Sequence, residues 1–422
     1  MKIALLALTD RGLATALRIG ENLPPGSAQP TFCLHAKALS ASSGKIPKTI
    51  PLQPFQHLGD LVPTLWQDCS VLIFIMASGI VVRQIAPLID RKDRDPAVLV
   101  LDEAGNFVIP LLSGHLGGAN AWAREIAKHL QAQAVITTAT DGRGITAPDE
   151  YARRFGWKVE PVDHLPAVNR LLLEQGYLNV LKPVDFSIDQ RWLEDPHYRF
   201  RDCIRRFAKP MIGLDNPIDA KDGKDIKNIK DIKNTKDTKI TGVAESFSIS
   251  QETALKEYQN NPNVIIDAFP RGNTKKDCIY LIPPFLSVGV GCRRGISSNV
   301  VLDAITSALE QIGASLKAIS GLYSIDLKAD EAGLQEAAKS LGVPLRTFSA
   351  DELQAVNSQE NLTRSNFVKE KIGVDGVCEA ASILGAHMGH LILPKTKGQG
   401  VTVAISTASS MSWDLAPETP ST

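Results

Sequence analysis

A histidine stands among glycines between residues 111 and 127, where the sequence reads LLSGHLGGANAWAREIA. The two leucines are typical of the end of a strand, and good helix formers follow from Asn120 onward. Glycine permits a sharp turn and a close approach of a ligand to the backbone. The first turn of a helix offers free N–H groups and a partial positive charge. The stretch therefore predicts an anion site beside the titratable imidazole of His115. The alternative is a tight strand-to-helix turn in which this histidine is merely packed.

Other polar residues follow apolar runs and are suited to the same chemistry. Gly79 comes after the run VLIFIM, and Arg83 stands one helical turn later. The guanidinium of an arginine there can bind a carboxylate through two hydrogen bonds. The alternative is a surface ion pair, which contributes little to stability. Thr138 and Asp141 stand at the end of a further strand, where their oxygens can orient water. Asp149 precedes a helix-like segment, and we expect it to cap that helix.

A second glycine-rich segment, GVGCRRGISSN, begins at Gly289. Its G-x-G-x-x-x-G spacing is a distant relative of the dinucleotide-binding fingerprint, and Arg293 and Arg294 suit a phosphate or a carboxylate. A backbone nest for any anion is an equally good interpretation. His387 and His390 stand three residues apart, but packing at a helix end is favoured over a metal site for such a pair.

Bulk composition excludes several classes of protein. The 422 residues include 46 basic and 46 acidic ones, so no net charge attracts the chain to nucleic acid. Six isolated cysteines fit a reducing compartment, and the start MKIALLALTDRG is too short an apolar run for a signal peptide. No apolar stretch approaches the length of a membrane span. We therefore expect a cytoplasmic protein that contacts neither nucleic acid nor membrane.

Strand-like and helix-like segments alternate over most of the chain, which predicts an α/β fold. We expect N-terminal and C-terminal α/β domains with mostly parallel sheets, at residues 1–140 and 286–407. A less regular middle region, residues 141–285, joins them. Within it, the lysine-rich repeat at 218–242 has almost no apolar residues and is predicted to be disordered, as is the tail at 408–422.

The alternation also predicts where a site would form. Ligands of open parallel sheets bind beyond the carboxyl ends of the strands. The loops after Met76, Leu112 and Thr138 are therefore expected to share one edge of the N-terminal sheet.

Several segments, taken in order, resemble one known family. The N-terminal segments are GIVVRQIAP, DPAVLVLDEAGNFVIPLLSGHLGGAN and AVITTATD. The C-terminal segments are SVGVGCRRGISS, SIDLKADEAGL, GVDGVCEAASIL and LPKTKGQGVTVAIS. Together they resemble the cobalamin-biosynthesis protein G family, the cobalt-precorrin-5A hydrolases. The resemblance covers most of residues 1–155 and 286–407, and the middle region matches loosely.

The resemblance implies a hydrolase of the anaerobic route to vitamin B12. Its substrate would be cobalt-precorrin-5A, a contracted ring whose ring-A acetate forms a δ-lactone to C20. The family opens this lactone with water and releases C20 with its methyl group as acetaldehyde, which leaves cobalt-precorrin-5B. The cobalt is carried by the substrate, so no cofactor and no protein-bound metal are expected. Transient contact with precorrin methyltransferases of the same pathway is also expected.

A substrate ringed by acetate and propionate groups needs several cations and anion sites. We predict that His115 activates water, because an ordinary imidazole titrates near neutrality. Backbone N–H groups of Gly117 and Gly118 would stabilise the oxyanion, and Asp141 or Asp102 would assist the release of acetaldehyde. The predicted substrate-binding residues are Gly79, Arg83, Lys92, Ser113, Gly114, Gly117, Gly118, Asn120, Thr138, Gly289, Gly291, Arg293, Arg294, Lys328, Glu379 and Lys395.

Two other functions stay open at this point. The first is an NADP-dependent reductase whose cofactor phosphate would lie on Arg293 and Arg294. The second is a carrier that binds a cobalt-containing tetrapyrrole and performs no chemistry on it.

Overall fold

A computed structural model describes residues 2–23, 30–41, 52–183, 186–203, 262–270, 275–360, 362–364, 370, 373–408 and 411–413. It contains three main sheets with helices packed on them, which confirms the predicted α/β class. The insert predicted to be disordered at 218–242 lies outside the described residues.

In the N-terminal unit, strands and helices alternate over most of the length from β1 to α6. Its strands are β1 (Ile3–Ala7), β2 (Thr31–His35), β3 (Leu52–Phe55), β4 (Val71–Ile75), β5 (Ala97–Leu101), β6 (Phe107–Leu112) and β7 (Gln133–Ala134). Its helices are α1 (Asp10–Glu21), α2 (Ala36–Ala41), α3 (Leu58–Asp68), α4 (Ser78–Ile85), α5 (Ala119–Leu130) and α6 (Ala139–Gly142).

The strands form one sheet in the order β3-β2-β1-β4-β5-β6-β7. Strands β4 and β5, VLIFI and AVLVL, are buried along their whole length, as expected of strands covered on both faces. Apolar residues of α1 and α5 pack on one face of the sheet, and those of α3 and α4 pack on the other. These two layers of core hold the sheet, and therefore its loops, in place.

Strand β6 runs antiparallel to β5, and this changes the expected position of the glycine-rich loop. A five-residue connection joins the two strands, too short for a parallel crossover. Asp102 closes that connection, because its Oδ1 accepts hydrogen bonds from the backbone N–H groups of Asn106 and Phe107, both at 2.8 Å. Leu112 consequently pairs with Val98, at the amino end of β5. The prediction that the loops after Met76 and Leu112 share an edge is therefore wrong.

The middle and C-terminal regions supply the remaining elements. The middle region contains α7 (Pro148–Arg154), β8 (Lys158–Glu160), α8 (Leu165–Gln175), β9 (Leu178–Pro183), β10 (Phe186–Ile188), α9 (Gln190–Leu193), β11 (Tyr198–Cys203), β12 (Val264–Ile266) and β13 (Ile279–Ile282). The C-terminal region contains β14 (Leu286–Cys292), α10 (Ser298–Ile312), β15 (Ile319–Ile325), α11 (Ala332–Leu341), β16 (Leu345–Phe348), α12 (Ala350–Gln359), α13 (Cys378–Gly385), β17 (His390–Gly398), β18 (Val401–Thr407) and β19 (Met411–Trp413).

These elements form two five-stranded sheets that share one core. The orders are β11-β9-β12-β13-β8 and β16-β15-β14-β18-β17. One continuous cluster of buried side chains runs from Tyr151 in α7 to Ile405 in β18. Strand β19, inside the tail predicted to be disordered, pairs in parallel with β10. The middle and C-terminal regions are thus packed against each other as one body.

In the part of the chain that the structure describes, no helix combines the length and the apolar character that a membrane crossing requires.

A substitution at Gly289 in β14 can test how tightly α13 packs on the C-terminal sheet. A Cβ atom at this position would lie 1.9 Å from the carbonyl oxygen of Cys378, a backbone atom that cannot rotate away. We expect Gly289→Ala to lower the free energy of unfolding by about 3 kcal/mol, as overpacking of a core does. Urea denaturation followed by circular dichroism measures this change.

Gly398, at the end of β17, is the matched control. A Cβ atom there meets no atom within 4 Å. We expect Gly398→Ala to change the free energy of unfolding by less than about 0.5 kcal/mol. Equal losses in the two variants would contradict the packing explanation.

A candidate active site around His115

The loop before α5 is folded back on itself. The backbone N–H groups of Gly118, Ala119 and Asn120 donate to the carbonyl oxygens of His115, Ser113 and Gly114, at 3.0–3.1 Å. The first N–H groups of the helix are therefore already used inside the protein. The expectation that the Gly118 N–H is free to hold an oxyanion is wrong for this reason.

The glycines of this loop allow close packing. A Cβ atom at Gly114 would lie 2.8 Å from Oδ1 of Asn120, and one at Gly117 would lie 2.5 Å from Cβ of Ser113. Gly118 has a φ of 82°, which glycine adopts without strain. Ser113 donates from its hydroxyl to the carbonyl oxygen of Asp95, at 3.1 Å. The loop is thus a rigid support, and its chemistry lies in the side chain of His115.

His115 is held between two carboxylates. Its Nε2 lies 3.0 Å from Oδ2 of Asp141, and its Nδ1 lies 3.3 Å from Oδ2 of Asp149. The hydroxyl of Thr140 is 3.3 Å from Nε2. Only 14% of the imidazole is exposed. The three ionisable groups come from separate parts of the sequence and meet where the loop before α5 contacts α7.

This arrangement changes the protonation state expected of His115. Burial alone would lower its pKa, but the hydrogen bonds to Asp141 and Asp149, and the charges of both, raise the pKa to about 10. The ring is therefore an imidazolium cation at neutral pH. The sequence led us to expect that His115 is a base with an ordinary imidazole pKa. In the free protein, the ring of His115 is instead a proton donor.

Asp141 collects hydrogen bonds from several predicted site residues. Asn120 donates from Nδ2 to Oδ2 of Asp141 at 2.9 Å, and to the hydroxyl of Thr138 at 3.0 Å. The Thr138 hydroxyl and the guanidinium of Arg124 also donate to Asp141. Burial would raise the pKa of this carboxyl, but the donors, His115 first among them, lower it well below its usual range. Asp141 is thus a fixed negative charge on the accessible side of the imidazole.

The sequence analysis missed two parts of this site. Asp149 was expected to cap α7, yet the N-cap residue of that helix is Ala147, and the Asp149 carboxylate points to the His115 ring instead. Arg124 was not selected, although it stands four residues after Asn120 in α5 and 48% of its side chain is exposed. Helical spacing from Asn120 could have indicated Arg124. No local pattern indicates that Asp149 faces His115.

A set of cations borders the same loop. Arg153 in α7 lies against Gly118, where its Cδ would be 3.2 Å from an added Cβ atom. Its guanidinium donates to Glu150 and remains 30% exposed. Lys92 lies in the exposed segment before β5, three residues from Asp95, whose carbonyl oxygen binds Ser113. The surroundings of His115 therefore include cations suited to anionic groups of a ligand.

Three predicted residues lie on the opposite edge of the N-terminal sheet. Gly79 and Arg83 are in α4, which begins beyond the carboxyl end of β4, and the Arg83 guanidinium donates to the Gly79 carbonyl oxygen at 2.7 Å. Asp102 is at the carboxyl end of β5, where it closes the turn to β6. The five residues of β5 separate these positions from the His115 loop by about 17 Å. The prediction that Asp102 assists His115 is wrong.

Three of the predicted C-terminal cations, Arg293, Arg294 and Lys328, lie beyond the carboxyl ends of β14 and β15, whereas Lys395 lies in β17. Arg294 pairs with Asp330 at 3.1 Å, and Lys328 pairs with Glu331 at 3.3 Å. The backbone N–H of Arg293 donates to the Gly400 carbonyl oxygen at 3.1 Å, and its side chain is exposed. Among the described residues, no hydrogen bond or ion pair joins this group to His115. Their role in substrate binding stays a prediction.

Other predicted C-terminal residues have structural tasks. A Cβ atom at Gly291 would lie 2.6 Å from the hydroxyl oxygen of Thr402, so this glycine, like Gly289, allows close packing. Glu379 is only 3% exposed and accepts hydrogen bonds from Thr363 and from the backbone N–H of Lys395. These contacts occupy both carboxylate oxygens, so Glu379 is not available to a substrate.

No group of three or more histidine, cysteine, aspartate or glutamate side chains with metal-binding geometry exists within the described ranges.

Comparison with known proteins identifies the family to which this chain belongs. Residues 286–406 match the family model described as cobalamin synthesis G C-terminus, and residues 60–141 match the one described as cobalamin synthesis G N-terminal. The second match includes the His115 loop and ends at Asp141.

Curated relatives extend this match over most of the chain. A cobalt-precorrin-5A hydrolase of Salmonella typhimurium is 30% identical over 96% of this chain and 97% of its own length. One of Priestia megaterium is 30% identical over 82% of this chain and 80% of its own length. The crystal structure of a cobalamin biosynthesis protein G homologue from Sulfolobus solfataricus aligns over 96% of this chain and 97% of its own, with 18% identity and a TM-score of 0.33. The chain belongs to the cobalt-precorrin-5A hydrolase family.

The charge state of His115 makes stability depend on pH. Because its pKa is raised in the folded protein, the stability that the charged ring provides is fully present below about pH 6.5, the pKa of a free imidazole. It is lost as the pH rises through about 10. We expect the difference in unfolding free energy between wild type and His115→Gln to shrink between pH 7 and pH 10, in urea titrations at several pH values.

His129→Gln is the control, because His129 is a partly exposed histidine of α5 that pairs with Glu125 in its own helix. Its difference from wild type should stay small across the same range. A pH-independent difference for His115→Gln would contradict the proposed charge state.

Proposed function

We propose that this chain is a cobalt-precorrin-5A hydrolase that opens the ring-A δ-lactone with water and releases C20 as acetaldehyde, to give cobalt-precorrin-5B. The observation that carries the proposal is the imidazolium of His115 between Asp141 and Asp149, in a chain that matches named hydrolases over nearly its whole length. The reaction needs one proton donor and one proton acceptor at the same atom of the substrate. His115 can be both in succession.

In the first half of the reaction, His115 acts as an acid. Water adds to the lactone carbonyl carbon, and the bond from that carbon to the C20 oxygen breaks. The leaving oxygen takes the proton from Nε2 of His115, while Asp141 accepts the proton that the attacking water loses. Asp141 is a weak base in the free protein, but water that is forming a bond to a carbonyl carbon is strongly acidic. The products of this half are a carboxyl group, a C20 hydroxyl, a neutral imidazole and a protonated Asp141.

In the second half, the neutral imidazole acts as a base. It takes the proton of the C20 hydroxyl, the C20 oxygen forms its carbonyl double bond, and the bond that joins C20 to the macrocycle breaks. The conjugated ring accepts the electron pair and the proton that Asp141 took from water, so that Asp141 is a carboxylate again, and acetaldehyde leaves. His115 is then an imidazolium again, and both carboxylates beside it stabilise that charge. The role of His115 as a base, predicted from the sequence, is thereby kept for this later step.

Cations near the loop would orient the acidic rim of the substrate. Arg124 and Arg153 are 48% and 30% exposed and already face carboxylates, so they can exchange part of that contact for an acetate or propionate of the ligand. Lys92 is an exposed cation in the segment before β5, and the His115 loop follows Leu112 at the amino end of that strand. Cobalt enters with the substrate, and no resident metal or cofactor is part of the proposal. A cytoplasmic location and contacts with precorrin methyltransferases remain predictions.

The test is anaerobic incubation of the purified protein with cobalt-precorrin-5A while a carbonyl reagent traps acetaldehyde. We expect stoichiometric acetaldehyde from wild type. His115→Ala should be slower by about 10²–10⁴-fold, because it lacks the group that gives and then takes the proton. His129→Ala, in the same part of the protein but with its ring paired to Glu125, should retain the wild-type rate.

Two outcomes would contradict the proposal. A folded His115→Ala variant with a normal rate would remove His115 from the mechanism. Wild-type protein that binds the substrate, leaves it unchanged and releases no acetaldehyde would favour the carrier function.

A further inference from the structure

The two carboxylates at His115 are not equivalent. The Asp141 side chain is 15% exposed and also receives Asn120, Thr138 and the half-exposed Arg124. The Asp149 side chain is 7% exposed, and among the described residues its other side-chain hydrogen bond is a long one of 3.5 Å from Nδ2 of Asn169. Nδ1 of the ring therefore faces the interior, and Nε2 faces the accessible side.

Asp149 stands on a rigid element. The ring of Tyr151, two residues further along α7, stacks on Trp192 with centroids 4.5 Å apart, and its hydroxyl donates to Asp195 at 2.7 Å. The hydroxyl of Tyr198 donates to the carbonyl oxygen of Thr146 at 2.6 Å, just before the helix. These buried contacts fix α7 and thereby fix the position of Oδ2 of Asp149.

Because Asp149 is buried, its carboxylate depends on the positive charge of the His115 ring. A carboxylate that is almost completely buried needs an opposite charge or strong donors to stay ionised there. In the described part of the chain, His115 is the cation that contacts it. A neutral ring held only by Asp141 would be free to turn over, and either nitrogen would then face the substrate.

We propose that Asp149 is a positioning residue, which holds Nδ1–H of His115 from the buried side so that Nε2 is the nitrogen that exchanges protons with the substrate. This inference rests on the proposed function. In the free protein, Asp141 and Thr140 occupy the position beside Nε2 that a substrate oxygen would share. Through the two proton transfers, the proton on Nδ1 stays in place and only the one on Nε2 moves.

The test compares two aspartate-to-asparagine substitutions. For Asp149→Asn we expect kcat to fall by about 10²-fold, KM to change by less than about twofold, and the alkaline limb of the kcat–pH profile to move to lower pH. The limb moves because the pKa of His115 falls when one carboxylate beside it becomes neutral, while Asp141 and the Arg124 charge stay. Asp195→Asn is the matched control, since it removes a carboxylate that supports α7 and does not touch His115.

Asp195→Asn should lower stability and leave the pH profile of kcat unchanged. Equal effects of both substitutions on the profile would show that Asp149 acts only by holding α7, and would overturn the proposal. An unchanged kcat and profile in Asp149→Asn would also overturn it.

A spectroscopic measurement keeps the inference separate from the activity. In wild-type protein labelled with ¹⁵N-histidine, we expect the Nδ1–H proton of His115 to exchange with water more slowly than Nε2–H, and Asp149→Asn to remove this protection. Faster exchange at Nδ1 than at Nε2 in wild type would overturn the proposal, even if Asp149→Asn fails to fold. If no acetaldehyde is formed by wild type, this readout still tests the role of Asp149.

Discussion

The site depends on the pairing of one buried imidazolium with two carboxylates. Alone, each of these groups would be costly to bury, because a charge in the protein interior loses its water. Together with the guanidinium of Arg124 they form a set of two positive and two negative charges, in which every member contacts an opposite one. The same balance keeps the proton on His115 at neutral pH. Structure and proposed chemistry therefore rest on one interaction.

The two elements that carry this charge set, the loop before α5 and helix α7, are held rigidly by their own contacts. The loop that carries His115 uses its own carbonyl oxygens to satisfy the first N–H groups of α5, and its glycines allow backbone and side chains to approach closely. On the other side, aromatic stacking holds α7 and so Asp149. A site assembled from two rigid elements gives a proton donor a defined direction, which a donor on a mobile loop would lack. The cations at the rim are more exposed and remain free to adapt to a ligand.

The predicted C-terminal cations belong to a different part of the molecule. Arg293, Arg294 and Lys328 follow the carboxyl ends of β14 and β15, and two of them, Arg294 and Lys328, are already paired with Asp330 and Glu331. The Arg294–Asp330 pair is exposed and contributes little to stability, so Arg294 is available to another anion, whereas the Lys328–Glu331 pair is largely buried. The substrate inferred for this family has many carboxylates, yet within the described ranges no hydrogen bond or ion pair joins these cations to His115. Their part in the reaction is a question separate from the proton transfers.

Sequence alone was sufficient for the α/β class, and it selected His115, Asn120 and Thr138 as candidate site residues, because strand ends, helix starts and polar side chains in a glycine-rich loop are local features. The sequence analysis placed the His115 loop at the wrong edge of the N-terminal sheet, because the direction of β6 depends on a hairpin that Asp102 closes. It assigned Asp149 to a helix cap, since nothing within a few residues shows that α7 packs against a loop 34 positions earlier. The sequence analysis assumed the ordinary pKa of histidine for His115, whereas the two carboxylates beside the ring in the folded protein raise that pKa. The residue types at the site were thus set by the sequence, whereas their pairing and charge were decided by tertiary contacts that bring distant segments within hydrogen-bonding distance.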